Sequence, residues 1–214
     1  MGGLIKTMPV TAIFFLGGSA GISALPPLNG FVSELLIFQA LFLGVVSSLG
    51  WVKILMVLSA SVMALTSALA AACFVKAFGI TFLGLPRSPQ AREAKESGLS
   101  MKAGMALMAA PVVLLGIGAG FVAPALFDIS RSVLGVQNAN FSFYAVSVLP
   151  PLVGAALLIF GAAIFIWFRF ASRAGRVIYN TWDCGYYDLG SRNEYTATAF
   201  SKPFRIAFSF FLLP

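Results

Sequence analysis

The chain has 214 residues, 59% hydrophobic and 10% charged, with 14 Lys and Arg against 7 Asp and Glu for a net charge of +7. A soluble chain of this length buries only ~70% of the surface it exposes when unfolded, so a mean hydropathy of +0.94 argues against a soluble enzyme and for lipid covering the remainder. No histidine is present, which removes imidazole metal sites, histidine triads and histidine proton relays.

The basic residues sit between apolar runs, not in a stripe interleaved with aromatic platforms, so no nucleic acid partner is expected. Cys73 lies in an apolar run and Cys184 in a polar tail, and the two make no disulfide framework. A crossing helix needs about 20 apolar residues for a hydrocarbon core of ~30 Å. On that measure the chain is all-α, a polytopic helical membrane protein with about four crossings.

The first crossing runs from Pro9 to Ser48 and is interrupted by Leu25-Pro26-Pro27-Leu28-Asn29-Gly30. Pro26 and Pro27 remove two amide donors and clash with the preceding turn, and Asn29 and Gly30 add turn character, so the helix is discontinuous here. Broken backbone at membrane depth is tolerated only where protein or trapped water satisfies it. Ser23, Asn29 and Ser33 flank the break and suit capping. A hairpin with its turn outside the lipid is one alternative. A signal peptide is another, with Lys6, an apolar run and small residues near Ser19 to Gly21, although a second apolar run follows at once.

The second crossing spans Ile54 to Leu83, and the loop after it, Gly84 to Lys102, carries Arg87, Arg92, Lys95 and Lys102 against Glu93 and Glu96. The third spans Ala103 to Phe127, with a kink expected at Pro111 and a small-residue contact face at Gly116-Ile117-Gly118-Ala119-Gly120. A loop from Asp128 to Tyr144 carries only Asp128 and Arg131. The fourth spans Pro151 to Phe170, with Pro150 and Pro151 at its start, where proline is tolerated. Residues 1–177 then form a transmembrane domain and 178–214 a polar, amphipathic tail. The excess of Lys and Arg places the Gly84–Lys102 loop and the tail in the cytoplasm. One broken first crossing also puts Lys6 inside, which favours it over the hairpin.

Two charged residues fall well inside apolar runs, Glu34 and Lys76. A charge at the bilayer centre costs at least ~2.5 kcal/mol, and such residues usually belong to an ion path. Glu34 lies four residues past Gly30. Burial disfavours its charged form, while the positive end of the following half-helix favours it. Opposed influences of this kind leave a carboxyl able to accept and release a proton, as a relay requires. The structural alternative is a hydrogen bond or ion pair with a neighbouring helix or subunit. Lys76, seven residues before Leu83, suits either an ion path or snorkelling to the headgroups; Lys53 and Arg169, at span ends, suit snorkelling. No Walker loop, dinucleotide fingerprint, paired-cysteine motif or nucleophile elbow is present. The sequence calls for no cofactor, metal or catalytic centre.

The stretch Met1-Gly-Gly-Leu-Ile-Lys-Thr-Met-Pro9, with Gly21-Ile-Ser-Ala-Leu-Pro-Pro-Leu-Asn-Gly-Phe-Val-Ser-Glu34, resembles the antiporter-like membrane subunits of complex I, membrane-bound hydrogenases, formate hydrogenlyases and multisubunit Na+/H+ antiporters. Further similarity lies in Ala71-Ala-Cys-Phe-Val-Lys-Ala-Phe-Gly-Ile-Thr-Phe-Leu-Gly84 with Pro86-Arg87, and in Thr181-Trp-Asp-Cys-Gly-Tyr186 with Tyr195-Thr-Ala-Thr-Ala-Phe200. These look like the hydrogenase-4 component B and formate hydrogenlyase subunit 3 branch. The resemblance implies that Glu34 is the terminal residue of a proton-transfer chain in a discontinuous helix. It also implies other membrane subunits and a peripheral hydrogenase or dehydrogenase arm as partners, and multi-pass residence in the inner (plasma) membrane. A Na+/H+ antiporter subunit and a non-conducting anchor for redox subunits are the alternatives. Family members run to more than twice this length, so the chain is expected to be a C-terminal fragment or a split subunit holding the exit half of a path.

Overall fold

The computed structural model describes residues 2–135, 144–171, 182, 184–186 and 189–210, with backbone alone at 144–147 and 171. Among them every regular element is helical. In chain order these are a 3-10 turn at Leu4–Lys6, α1 (Pro9–Ile22), α2 (Asn29–Ser47), α3 (Trp51–Phe82), the short α4 (Pro89–Arg92), α5 (Leu99–Ile117), α6 (Ala119–Leu134), α7 (Tyr144–Ala171) and α8 (Ala197–Ala207).

Among the described residues four helices are long and apolar enough to cross a membrane: α2, α3, α5 and residues Val148–Phe170 of α7. At 1.5 Å per residue the 19 residues of α2 reach about 28 Å, enough for the hydrocarbon core, whereas the 14 of α1 reach about 21 Å and fall short. The expected count of crossings stands, and the helix is interrupted between Ile22 and Asn29 as the two prolines require.

Three details differ from the sequence reading. The third stretch, expected to run unbroken from Ala103 to Phe127, keeps Pro111 inside α5 but is interrupted at Gly118, where φ −85° and ψ 10° depart from helix. Three glycines within five residues weaken the helix here, since each costs it about 1 kcal/mol relative to alanine. The ladder resumes with Phe121 N–H on the Gly118 carbonyl at 3.0 Å. Asp128 and Arg131 consequently belong to helix α6, not to a loop, and α6 ends at Gly135 with φ +66°. Pro150 and Pro151 lie within α7, which begins at Tyr144. Pro150 is fully buried, so its packing offsets the amide bonds the two rings withdraw.

The chain divides into two compact units. One comprises Met1–Leu16, Ala72–Met105 and Arg176–Pro214; the other comprises Gly17–Ala71 and Ala106–Gly175. In the second, Val32 and Leu36 of α2 pack against Ala119 and Ala123 of α6, and α7 packs against both α2 and α6. A three-residue connection, Ser48 to Gly50, returns α2 into α3, with Gly50 at φ +62°.

In the first unit, the rings of Phe15, Phe78 and Phe82 form a cluster, with centroids 5.3 Å apart for Phe15–Phe82 and for Phe78–Phe82. Gly3 N–H donates to the Leu83 carbonyl at 2.9 Å. Nearby, Glu194 accepts from Leu85 N–H at 2.7 Å and faces Arg87 at 3.7 Å, while Arg87 also donates to the Tyr195 carbonyl at 2.8 Å. Gly84 makes room for this contact. It adopts φ +78°, and a Cβ there would sit 2.7 Å from a Glu194 carboxylate oxygen. Thr196 then starts α8 by accepting from Ala199 N–H at 3.1 Å.

Large apolar side chains point outward throughout, with Phe121 90% and Leu49 86% exposed. The described buried hydrophobics amount to small residues such as Ala12, Ala119 and Ala123, with Val32 and Phe82. A soluble monomer does not carry so much exposed apolar surface. It is the surface that lipid and neighbouring helices cover.

Candidate functional site

The break between α1 and α2 is closed by its own backbone. Ala24 takes φ +53°, and two bonds wrap the end of α1: Leu25 N–H to the Ala20 carbonyl at 3.0 Å and Ala24 N–H to the Gly21 carbonyl at 3.3 Å. This is the Schellman arrangement, which satisfies the last carbonyls of a helix. It usually employs glycine at the left-handed position, where this chain has alanine. Leu28 N–H reaches the Leu25 carbonyl and Phe31 N–H the Leu28 carbonyl, at 3.0 and 3.1 Å. Pro26 and Pro27 have no amide hydrogens to place. At the start of α2 no side-chain cap forms: Leu28 holds the capping position, and the Ser33 hydroxyl donates back to the Gly30 carbonyl at 2.9 Å.

Two glycines seat the break against its neighbours. A Cβ on Gly116 of α5 would strike the Pro27 carbonyl oxygen and come within 2.6 Å of the Leu28 carbonyl carbon; one on Gly154 of α7 would lie 2.8 Å from the Pro27 ring. Within the small-residue face of the third stretch, Gly116 thus meets the break, while Ala119 packs against Val32 and Leu36 of α2. The end of α1 also meets the start of α2, because a side chain on Gly30 would collide with the Gly21 carbonyl.

A cleft of about 400 Å³ opens at this junction, lined by Gly18, Gly21, Ile22, Asn29, Gly30, Ser33, Glu34 and Val112. Glu34 is half-buried. Its Oε1 accepts a hydrogen bond from Ser67 Oγ of α3 at 2.8 Å. The same hydroxyl lies 3.0 Å from the Met63 carbonyl. A carboxyl therefore sits between a cleft with polar groups on one side and a hydroxyl on a neighbouring helix on the other. This arrangement can bind a proton, orient it and pass it on.

Of the residues singled out in the sequence, Glu34, Pro26, Pro27, Asn29 and Gly30 all gather at this junction. Lys76 lies in the other unit, where its Nζ donates to Ser201 Oγ of α8. Ser67 and Gly154 carried no sequence signal. Ser67 is one of several hydroxyls in α3, and nothing in their spacing tells which one meets α2. Of the tail motif, Thr181 and Asp183 lie outside the described residues. Cys184 is an exposed free thiol at φ +53°.

Residues 1–66 match the family model described as NADH:quinone oxidoreductase/Mrp antiporter, TM. Hydrogenase-4 component B of Escherichia coli (strain K12) is 35% identical over 98% of the chain and 33% of its own length. The chain resembles the antiporter-like membrane subunits along nearly its whole length. Formate hydrogenlyase subunit 3 of the same organism is also 35% identical, over 98% of the chain and 34% of its own length. An uncharacterized protein of Mycobacterium tuberculosis (strain ATCC 25618 / H37Rv) is 34% identical over all of the chain and 35% of itself. The chain spans about a third of the length of these curated relatives. The family-model match takes in the break and Glu34, whereas Ser67, Lys76 and the tail lie beyond it.

Proposed function

We propose that the chain conducts protons through side chains and water around Glu34, as part of a membrane assembly that couples electron transfer to proton movement. The assembly would be of the complex I-like NADH:quinone oxidoreductase or the membrane-bound hydrogenase and formate hydrogenlyase kind. One observation carries the reading: the Glu34 carboxyl stands beside a cleft at an interrupted helix and is held by Ser67. An ionisable group in an apolar span that faces protein and polar space, not acyl chains, is the usual mark of an ion path. The two Escherichia coli relatives, a hydrogenase component and a formate hydrogenlyase subunit by name, support the hydrogenase branch.

In this mechanism the cleft delivers a proton to Glu34, and a change in neighbouring charge shifts the balance between its two protonation states and releases the proton onward. The neighbouring charge belongs to other membrane subunits, and the energy comes from a peripheral hydrogenase or dehydrogenase arm. The assembly resides in the plasma (inner) membrane, with the Gly84–Lys102 loop on the cytoplasmic side. The test is Glu34→Gln in the complete assembly reconstituted into vesicles. Electron transfer should persist while coupled acidification, read with a pH-sensitive dye, is lost. Unchanged acidification removes Glu34 from the path and leaves the chain as an anchor for redox subunits.

A further inference from the structure

The contact between Glu34 and Ser67 has more in it than a single hydrogen bond, because the Ser67 oxygen has two acceptors within reach. It lies 2.8 Å from Glu34 Oε1 and 3.0 Å from the carbonyl of Met63, one turn earlier in α3. A serine hydroxyl has one hydrogen to donate and two lone pairs to accept with, so it cannot serve both acceptors fully at once.

We infer that Ser67 is a positioning residue that partners Glu34 in both of its protonation states, its hydroxyl hydrogen turning between the carboxylate and the Met63 carbonyl. When Glu34 is ionised, the hydrogen points at Oε1. When a proton binds at Oε1, that new O–H donates to a lone pair of Ser67 Oγ, and the serine's own hydrogen turns to the Met63 carbonyl. No bond to hydrogen breaks within Ser67; one torsion rotates, and the only proton gained is the one on Glu34. Both states then keep a polar partner on this side of the carboxyl. That matters where water is scarce, because an unpaired polar group in hydrocarbon is strongly disfavoured.

Other side chains would do less. A lysine or a backbone N–H can only donate and would hold Glu34 ionised; a carbonyl can only accept and would hold it protonated. The other hydroxyls of α3 with recorded bonds, Ser61 and Thr66, are exposed and donate to the carbonyls four residues earlier at 3.0 and 2.8 Å. Ser67 makes that same bond and, in addition, reaches a titratable group.

This inference rests on the proton-path reading of Glu34, and its test is chosen to fail separately. The measurement is infrared spectroscopy of the complete membrane assembly titrated in pH, with the Glu34 bands assigned by their loss in Glu34→Gln. In Ser67→Ala both the carboxyl C=O stretch of the protonated form, which should rise in wavenumber, and the carboxylate stretch of the ionised form should shift. Ser67→Thr, which keeps the hydroxyl, should return both to their wild-type positions. A shift of only one band makes Ser67 a one-state partner, and a shift of neither makes it a bystander; either result overturns the inference. Proton transport surviving in Glu34→Gln, by contrast, refutes the underlying reading while leaving the response of the bands to Ser67→Ala intact.

Discussion

The seating of the helix break can be tested by putting the same methyl group at two glycines. At Gly116 a Cβ would lie 2.6 and 2.7 Å from the Leu28 carbonyl carbon and Cα. Carbon atoms prefer about 3.5–4.0 Å, and the Pro27 carbonyl oxygen is nearer still, so α5 and the break must separate by at least about 0.9 Å. The obstacle is backbone, and no rotamer can absorb the shift. Overpacking of this kind costs about 1–3 kcal/mol. At Gly161, in α7, a Cβ meets nothing within 4 Å, and alanine should gain about 1 kcal/mol of helix propensity. Gly116→Ala should therefore lower the unfolding midpoint in detergent micelles while Gly161→Ala raises it; the propensity gain is common to both, so the spread is the overpacking cost of roughly 1–3 kcal/mol. In the complete assembly Gly116→Ala should also slow proton transport, because displacements near 1 Å at a site of chemistry can cost about 100-fold. If the two substitutions moved stability in the same direction, the packing of Pro27–Leu28 on α5 would be wrong.

Three further outcomes follow from the first unit. Glu96 accepts from Thr11 Oγ1 at 2.6 Å and Val10 N–H at 2.8 Å at the start of α1. The Thr11 hydroxyl above all, with the amides of Val10, Ser97 and Thr11, lowers its pKa from 4.5 to about 2 against the opposing effect of burial. Because the folded value is the depressed one, this stabilisation is complete above about pH 4.5 and fades as pH falls through about 2. Glu96→Gln should flatten the dependence of the melting temperature on pH in that window, and an unchanged slope would refute the assignment. Glu194→Ala removes the acceptor of Leu85 N–H and the partner of Arg87; hydrogen exchange across Tyr195–Ala207 should speed up by an amount equivalent to about 1–2 kcal/mol. Lys76→Met should likewise loosen α8 by about 1 kcal/mol, read as faster exchange at Ala197–Ala207, since it deletes the donor to Ser201.

What the sequence made legible was whatever depends on local chemistry. Apolar runs of crossing length predict the four long helices, and adjacent prolines predict the interruption before Asn29. A carboxylate in an apolar run marks Glu34. The quieter interruption at Gly118 had no signal of its own, because glycines spaced by Ile117 and Ala119 read equally as a helix contact face, although each one weakens the helix. The start of α7 was placed too late because a proline can sit inside a helix whose packing supports it, and two prolines were read as a beginning. Partners across helices were beyond reach. Ser67 meets Glu34 only through the packing of α3 on α2, and Glu96 was one loop charge among several until the fold brought it to the amides of Val10 and Thr11. Lys76 was visible as unusual, but its hydroxyl partner lies 125 residues away.

The approach of Gly116 to Leu28 has an electrical side. Gly116 is in the last turn of α5, and Leu28 immediately precedes α2, so the carbonyl-rich foot of one helix abuts the amide-rich head of another. Each end carries about half an elementary charge, of opposite sign, and hydrocarbon around them screens little. The two fields largely cancel at a distance, which lets an irregular stretch of main chain rest within a membrane without leaving a bare pole.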